Sequence, residues 1–459
     1  MIRCISPVDG RVYAERAVAT DAAISTAIAR ARGAQEVWRR LPVAERARYC
    51  LAAVEAMLAM QDEIVPELAW QMGRPIRYGA GELRGFAERA RYMIEIAEVA
   101  LAPIDPCPKD GFRRWIARDP LGLVMVIAPW NYPYLTAVNS VVPALMAGNA
   151  VILKHAAQTI LVGERFQRAF DTAGLPAGLF QTLVLDHAQT ATLIAGRQVD
   201  QVNFTGSVAG GRAMETAAAG SFIGLGLELG GKDPAYVRAD ADLASAVENL
   251  VDGAFFNSGQ SCCGIERIYV HQDLYAKFVD GFVETTKTYV LGDPLDAATT
   301  LGPMVKADAA AFVRGQVRDA VAAGARALVA PEAFARDAAG TPYMAPQVVV
   351  DVTHAMALMR EESFGPVVGI MPVANDADAV RLINDSPYGL TASIWTKDAD
   401  RAATLGDQIE TGTVFMNRCD YLDPALAWTG VKDTGRGASL SRVGYETLTR
   451  PKSYHLKVS

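Results

Sequence analysis

At 459 residues the chain exceeds what one hydrophobic core usually supports, so two or three domains are expected. About half of it is apolar (51%) and a fifth charged (21%), the balance of a soluble globular enzyme, and a formal charge of −7 argues against a nucleic-acid partner. The six cysteines and five histidines show no metal-ligand spacing, which excludes an evident zinc site and reads as free thiols in a reducing compartment.

The first seven residues, Met1-Ile2-Arg3-Cys4-Ile5-Ser6-Pro7, have no long apolar core and no signal-type cleavage site. No uninterrupted apolar run approaches ~20 residues, so no membrane span and a cytoplasmic location are expected. A turn at Pro7-Val8-Asp9-Gly10 opens the chain. Helical patterns follow over about Ala44 to Met60, then up to Met72 where Gly73 and Pro75 stop the helix, then over about Ala80 to Val99.

The pattern then changes. Phe112 to Ala117 reads as a strand closed by a turn at Asp119-Pro120-Leu121-Gly122. Leu123 to Ile127 is a continuous apolar run, the mark of a strand buried on both faces. A helix (about Thr136 to Ala147), a strand (Ala150 to Leu153), a helix (about Ile160 to Thr172), a strand (Phe180 to Leu185) and a short helix near Ala188 to Ala195 come next. A strand at Val202 to Phe204 then leads through Gly206 into a helix ending near Ala218. Strands alternating with helices at this spacing imply a parallel sheet with helices on both faces. A second α/β series begins after Gly230-Gly231, with a helix from Asp242 to about Phe255 and a strand from Arg267 to Val270. A helix from Asp273 to about Tyr289, strands near Ala327 and Val367, and a strand from Thr391 to Trp395 complete it. The polar tail from Thr447 is expected to be an edge strand or an oligomer contact.

Three residues carry the chemistry. Cys262 follows Gly259-Gln260-Ser261, where the backbone can approach a ligand closely, and a thiolate there is a nucleophile. Its neighbour Cys263 reads as structural or as a pocket-lining residue. Glu228 sits between two leucines and before Gly230-Gly231. Partial burial there would raise its pKa and make it a better base; the competing reading is an exposed strand-end glutamate. Asn131, in Pro129-Trp130-Asn131-Tyr132-Pro133, follows the buried strand that ends at Ile127. Ligands of parallel sheets sit beyond the carboxyl ends of strands, so its amide can donate to an oxyanion or can simply shape the turn. A thiol, a carboxylate that activates water and an oxyanion donor are the parts needed to oxidise an aldehyde to an acid through a thioester. For a dinucleotide, Gly206-Ser207-Val208-Ala209-Gly210-Gly211 follows a strand and opens a helix, where N–H groups and the dipole favour a pyrophosphate. It is not Gly-x-Gly-x-x-Gly, so alone it is a weak fingerprint. Lys154, at a strand end, could reach a ribose or a phosphate.

These residues stand in a longer ordered set: Ala128-Pro129-Trp130-Asn131, Lys154, Phe204-Thr205-Gly206-Ser207, Glu228-Leu229-Gly230-Gly231-Lys232 and Phe256-Asn257-Ser258-Gly259-Gln260-Ser261-Cys262. Glu362-Ser363-Phe364-Gly365-Pro366, Ser386-Pro387-Tyr388-Gly389-Leu390 and Trp428-Thr429-Gly430-Val431-Lys432 complete it. The set resembles the aldehyde dehydrogenase superfamily over nearly the whole chain, most of all its succinate-semialdehyde dehydrogenase-like members. The resemblance implies an α/β fold with a Rossmann-like cofactor domain (1–111 and 121–228) and an α/β catalytic domain (229–435). A small β bridging element (112–120 and 436–459) would make homodimers or homotetramers. It implies Cys262 as nucleophile, Glu228 as general base and Asn131 as oxyanion donor. Glu362 would bind the nicotinamide ribose and Phe364 would pack near the ring. Trp130 and Ser207, with Gly206 and Gly211, would lie about the phosphates, Lys154 at the adenosine ribose, and Leu229 would also bind the cofactor. Tyr132, Thr136, Asn139, Phe256, Ser261, Cys263, Tyr421 and Trp428 would line the substrate tunnel.

One departure bears on the cofactor. The family commonly follows that lysine with Pro-Ser-Glu or Pro-Ala-Glu, and here it is His155-Ala156-Ala157. The usual glutamate would repel a 2′-phosphate; Ala157 removes that charge and His155 is expected to add a positive one. NADP is therefore expected to serve at least as well as NAD. Thr136, Asn139 and Ser261 make the tunnel polar, which suits a short polar aldehyde or semialdehyde; an Arg418–Asp420 pair would keep Arg418 from reading a substrate carboxylate. A CoA-acylating relative, which commonly lacks the glutamate, and a catalytically silent binding protein on the same scaffold are the alternatives.

Overall fold

A computed structural model of the chain describes residues 1–458. Two mainly parallel sheets organise it. The first has six strands in the spatial order Gly435–Arg436, Gly224–Glu228, Gln201–Thr205, Leu123–Ala128, Ala150–His155 and Phe180–Thr182. Only the two-residue edge strand Gly435–Arg436 runs antiparallel. Leu123–Ala128 lies inside this sheet and all six of its residues are buried, as its unbroken apolar run requires. Helices pack on it, among them Pro133–Met146, which begins with proline at its first turn, where no N–H is missed.

The second sheet has seven strands in the order Arg326–Ala327, Gln347–Val350, Val367–Val373, Ile265–His271, Asp233–Val237, Thr391–Trp395 and Thr413–Met416. All its pairs but the first are parallel. Each sheet has its own buried core. A separate two-stranded ribbon joins Phe112–Pro120 to Thr449–Lys457 in nine consecutive antiparallel pairs, with Trp115 stacked on Tyr454 at 4.3 Å and Phe112 on His455 at 4.7 Å. The tail from Thr447 is thus largely a strand.

The elements differ from the sequence reading in identifiable places. The strand from Phe112 continues through Asp119-Pro120 because its partner Thr449 pairs with Pro120, so the expected turn contracts to Leu121-Gly122. The strand from Phe180 stops at Thr182. The hairpin Ile2–Ile5 with Val12–Arg16 and the helix Asp21–Trp38 precede the first helix expected. Strand Asp233–Val237 occupies an interior position of the second sheet. Among the described residues no helix is long and apolar enough to cross a membrane.

Candidate active site

Cys262 lies where the two sheets meet, on a loop held in an unusual conformation. Asn257, Ser258 and Gly259 are consecutive left-handed residues with φ of 55°, 57° and 68°. For the two non-glycine residues this conformation costs on the order of 1–2 kcal/mol each. Hydrogen bonds offset that cost. Asn257 Nδ2 donates to the carbonyls of Asn131 (3.3 Å) and Gln260 (3.2 Å), and Ser258 Oγ donates to the Gly302 carbonyl at 2.7 Å. Gln260 is buried; its Nε2 donates to the Asn257 carbonyl and its Oε1 accepts the Val305 N–H. Asn131 ties this loop to the first sheet, its Nδ2 donating to the Gln260 carbonyl at 3.1 Å. That bond uses one of its two amide hydrogens.

The Gly230-Gly231 step explains how three parts approach each other. A Cβ on Gly231 would sit 2.7 Å from the Cys262 carbonyl oxygen, and a Cβ on Gly230 would collide with the Glu362 carboxylate. The Gly231 N–H donates to Glu362 Oε1 at 3.1 Å. Only glycines let strand end, cysteine loop and Glu362 share this space. Behind them the buried Lys232 donates to Glu266 and to Ser363 Oγ (2.9 Å), while Glu266 accepts the N–H groups of Ser363 (2.8 Å) and Phe364 (2.9 Å). Replacing Lys232 by methionine strands a buried carboxylate, and is expected to cost about 3–5 kcal/mol in denaturant unfolding.

A cavity of about 460 Å³ opens beside Cys262. Its wall carries Cys262, Glu228, Ser261 and Cys263, and likewise Tyr132, Thr136 and Asn139 from one helix region and Phe256, Tyr421 and Trp428 from others. Leu229 also lines it. Asn131 is not on that wall; it stands behind the cysteine loop. Glu228 accepts a hydrogen bond from Thr205 Oγ1 at 3.2 Å. Burial pushes its pKa above the usual carboxylate range, which the Thr205 hydroxyl and the Arg89 charge partly offset. Burial, reinforced by Glu266, raises the Glu362 carboxyl to about 7.

The remaining expected cofactor residues collect at the carboxyl ends of the first sheet and between the sheets. Ser207 caps the helix Val208–Ala218, accepting the Gly210 N–H at 3.2 Å, and leaves that helix N-terminus exposed. Gly206 and Gly210 lie against the Phe204 ring, and Gly211 against Leu229, with no room for a Cβ. Half-buried Lys154 ends the strand beside Leu123–Ala128, and exposed Ala157 starts the next turn. Trp130 meets Phe364 edge to face at 5.7 Å. An open helix start, a lysine and a carboxylate near two rings suit a dinucleotide.

One expectation is corrected and one open condition is decided. His155 supplies no positive charge: it is buried, its ring bonded to the Ala156 N–H and Thr159 hydroxyl and near the Pro133 carbonyl, and burial pulls its pKa down to about 4. Arg418 does not pair with Asp420. It lies over the Tyr421 ring at 3.5 Å, and Asp420 accepts instead from Ser261 Oγ (3.2 Å) and Cys263 Sγ (2.9 Å).

The sequence reading also missed supporting groups. Arg74 bonds the Asn131 carbonyl at 2.6 Å and forms a buried pair with Glu82. Glu82 in turn accepts the N–H groups of Tyr134 (3.0 Å) and Leu135 (3.1 Å), at the positive end of the helix Pro133–Met146. On the helix Ile76–Ala100, Gly81, Arg84, Gly85, Glu88 and Arg89 all face the cavity. Their spacing of i, i+3, i+4, i+7, i+8 is the signal of one helix face. Among the described residues no cluster of three metal-ligating side chains occurs.

With the fold and the cavity in view, comparison with known proteins is specific. The sequence matches the aldehyde dehydrogenase family over residues 1–454. It is 35% identical over 455 residues to a succinate-semialdehyde dehydrogenase [NADP(+)] of Mycobacterium avium, covering 98% of this chain and 96% of that one. The fold superposes on succinic semialdehyde dehydrogenase from Streptococcus pyogenes in complex with NADP+, with a TM-score of 0.94, 27% identity and all of both chains covered. It also superposes on an NADP-dependent glyceraldehyde-3-phosphate dehydrogenase from Bacillus halodurans complexed with NADP, with a TM-score of 0.93, 30% identity and coverage of 100% and 96%. The chain belongs to the aldehyde dehydrogenase family. It is an oxidoreductase that oxidises an aldehyde at the expense of a nicotinamide dinucleotide.

Proposed function

We propose that the chain converts a short polar aldehyde or semialdehyde to its acid, using NADP at least as well as NAD, through a thioester on Cys262. The observation that carries this reading is the shared cavity of Cys262 and Glu228. The Cys262 thiolate attacks the carbonyl carbon; a C–S bond forms and the carbonyl electron pair moves to oxygen. The Cys262 backbone N–H is the donor to that oxyanion on the cavity side, and Asn131, which stands behind the loop with one Nδ2 hydrogen on the Gln260 carbonyl, would add its second amide hydrogen. A bound nicotinamide ring supplies the hydride acceptor. Glu362 would hold its ribose and Phe364 would pack beside it. Trp130, Gly206, Ser207 and Gly211 would surround the pyrophosphate, Lys154 would reach the adenosine ribose, and Leu229 would touch the cofactor from the Cys262 cavity. Loss of the aldehydic hydrogen as hydride leaves the thioester. Glu228 takes a proton from water, the resulting hydroxide attacks the acyl carbon, and Cys262 departs as thiolate.

The test is a panel of aldehydes with both cofactors, with and without CoA, followed by the absorbance of reduced nicotinamide. Turnover without CoA is expected, and activity on long alkyl aldehydes far above that on succinate semialdehyde would overturn the substrate class. NADP preference rests on exposed Ala157, which leaves the ribose region free of the glutamate's charge. The neutral His155 adds nothing to it. The expected kcat/KM with NADP equals or exceeds that with NAD, and Ala157→Glu is expected to lower the NADP/NAD ratio by roughly 10- to 100-fold. A large native preference for NAD would sink the assignment. The same reading assigns residues 1–111 and 121–228 to cofactor binding, 229–435 to catalysis, and 112–120 with 436–459 to subunit bridging. The mostly exposed strand Thr449–Lys457 supports a role in a dimer or tetramer.

A further inference from the structure

Among the described residues the cavity has one buried cation that no carboxylate contacts, although Glu82 and Glu228 act on it through space. Arg89 is only 9% exposed, yet among the described residues no carboxylate pairs with its guanidinium. Nearby arginines behave differently: Arg74 pairs with Glu82 and Arg91 with Glu55. Arg89 Nη1 donates to the Leu135 carbonyl at 2.8 Å and to Asn139 Oδ1 at 3.4 Å. Those contacts hold the guanidinium in place without neutralising it. Burial lowers its pKa, the mark of a charge kept from water.

Asn139 is the second half of the feature. It is 2% exposed and lines the same cavity, and its Nδ2 has no partner. Because Arg89 can only donate, it fixes the amide with Oδ1 toward itself and the NH2 free. The Tyr132 hydroxyl on this cavity is likewise unpartnered. The four acidic groups of the cavity bond to other partners: Asp420 accepts from Ser261 and Cys263, Glu88 from the Tyr421 hydroxyl at 2.9 Å, Glu228 from Thr205 Oγ1 at 3.2 Å and Asp252 from the Tyr289 hydroxyl at 3.5 Å. A buried cation without an ion-pair contact and an unused buried donor are each costly to a fold. One anion bound between them would satisfy both.

We infer that Arg89 and Asn139 form an anion subsite that selects aldehydes whose far end carries a carboxylate. A guanidinium matches a carboxylate in shape and charge, and the Asn139 amide adds a third donor. The inference rests on the aldehyde-oxidising reading above and specifies its substrate. It assigns the selectivity to the helix Ile76–Ala100, not to the loop that carries Arg418.

The experiment compares succinate semialdehyde, butanal and glyceraldehyde 3-phosphate in the native enzyme, Arg89→Met and Arg89→Lys. The native enzyme is expected to favour succinate semialdehyde. Arg89→Met is expected to lower its kcat/KM relative to butanal by about 30-fold, mainly through KM, as loss of a charge-assisted contact predicts. Arg89→Lys is expected to recover part of that ratio. A ratio that stays within about threefold of native in Arg89→Met overturns the subsite. A native preference for glyceraldehyde 3-phosphate over succinate semialdehyde overturns the choice of carboxylate over phosphate. Calorimetry on the native enzyme needs neither a variant nor turnover: succinate is expected to bind and succinamide to bind much more weakly. Equal binding of the two, or binding of neither, refutes the subsite even where Arg89→Met does not fold. If no aldehyde is oxidised but succinate binds selectively, the oxidation reading fails and the anion subsite stands.

Discussion

Cys262→Ala is expected to abolish aldehyde oxidation, with turnover down by at least about 10⁴-fold, while cofactor binding persists. The magnitude follows from what remains in the cavity. Cys263 and Cys419 also line it, so rescue by a neighbouring thiol is the first objection. Neither is placed to act. In the native chain the Cys263 thiol is pushed up first by its hydrogen bond with Cys262; the variant loses that contact but keeps burial and Asp420, whose Oδ1 the thiol bonds at 2.9 Å, and both still push it up. Burial raises the Cys419 thiol likewise, with Asp420 adding to it. A nucleophile must be a thiolate, and both environments oppose one. Cys262 itself is half-buried, on a loop whose Asn257 and Ser258 are fixed by bonds that do not involve its sulfur. Its loss is therefore expected to leave the thermal midpoint close to native. Turnover above about 1% of native removes it as nucleophile. Mass spectrometry of the native enzyme trapped with substrate should find the acyl group on the peptide containing Cys262.

The parts of the site that could be read from sequence are those where a glycine or a strand end stands beside a reactive side chain. Gly259 beside Cys262 and Gly230-Gly231 after Glu228 announce close backbone approach, and the structure places a Cys262 carbonyl and a Glu362 carboxylate against that second pair. The unbroken apolar run before Asn131 located a buried strand and, with it, the sheet end where Trp130 and Asn131 project. Asp233–Val237 was opaque for the opposite reason. An aspartate followed by proline argues against an interior strand. It is tolerated because Thr391 donates both its N–H (3.1 Å) and its hydroxyl (2.6 Å) to Asp233, a satisfaction supplied by a strand some 160 residues away. The helix Asp21–Trp38 hid behind a buried stripe made partly of alanine, which weakens the apolar signal. His155 shows the limit of reading charge from residue type. Its ionisation is decided by burial, which no local pattern reveals. Arg89 is intermediate: the Gly81, Gly85, Arg89 spacing is present in the sequence, but only the tertiary fold shows that among the described residues no acid is in ion-pair contact with it.

Glu228→Gln is expected to separate acylation from hydrolysis. The first turnover should release about one reduced nicotinamide per active site, after which steady turnover falls by roughly 10²- to 10⁴-fold, the usual weight of a general base. Glutamine keeps the shape and can still accept from Thr205 Oγ1, so Cys262 and the cavity should be undisturbed. The pH dependence gives a second, independent reading. Burial raises the folded pKa of Glu228, and a base acts only when deprotonated, so the acid limb of native kcat should lie above the ordinary carboxylate range; Glu228→Gln should lack that limb. Stability should move in the opposite sense. Between the unfolded pKa and the raised folded one, the folded state binds more proton than the unfolded state. The contribution of Glu228 to stability is therefore full below the unfolded pKa and is lost as pH rises through the folded value. Glu228→Gln cannot ionise, so its thermal midpoint relative to native should climb as pH rises across that interval. An active-site carboxylate that lowers stability where it is most reactive is strained for function, and a variant that is both more stable and slower to deacylate is the result this predicts. Unchanged steady turnover, or a burst no larger than native, would assign the activation of water to another group.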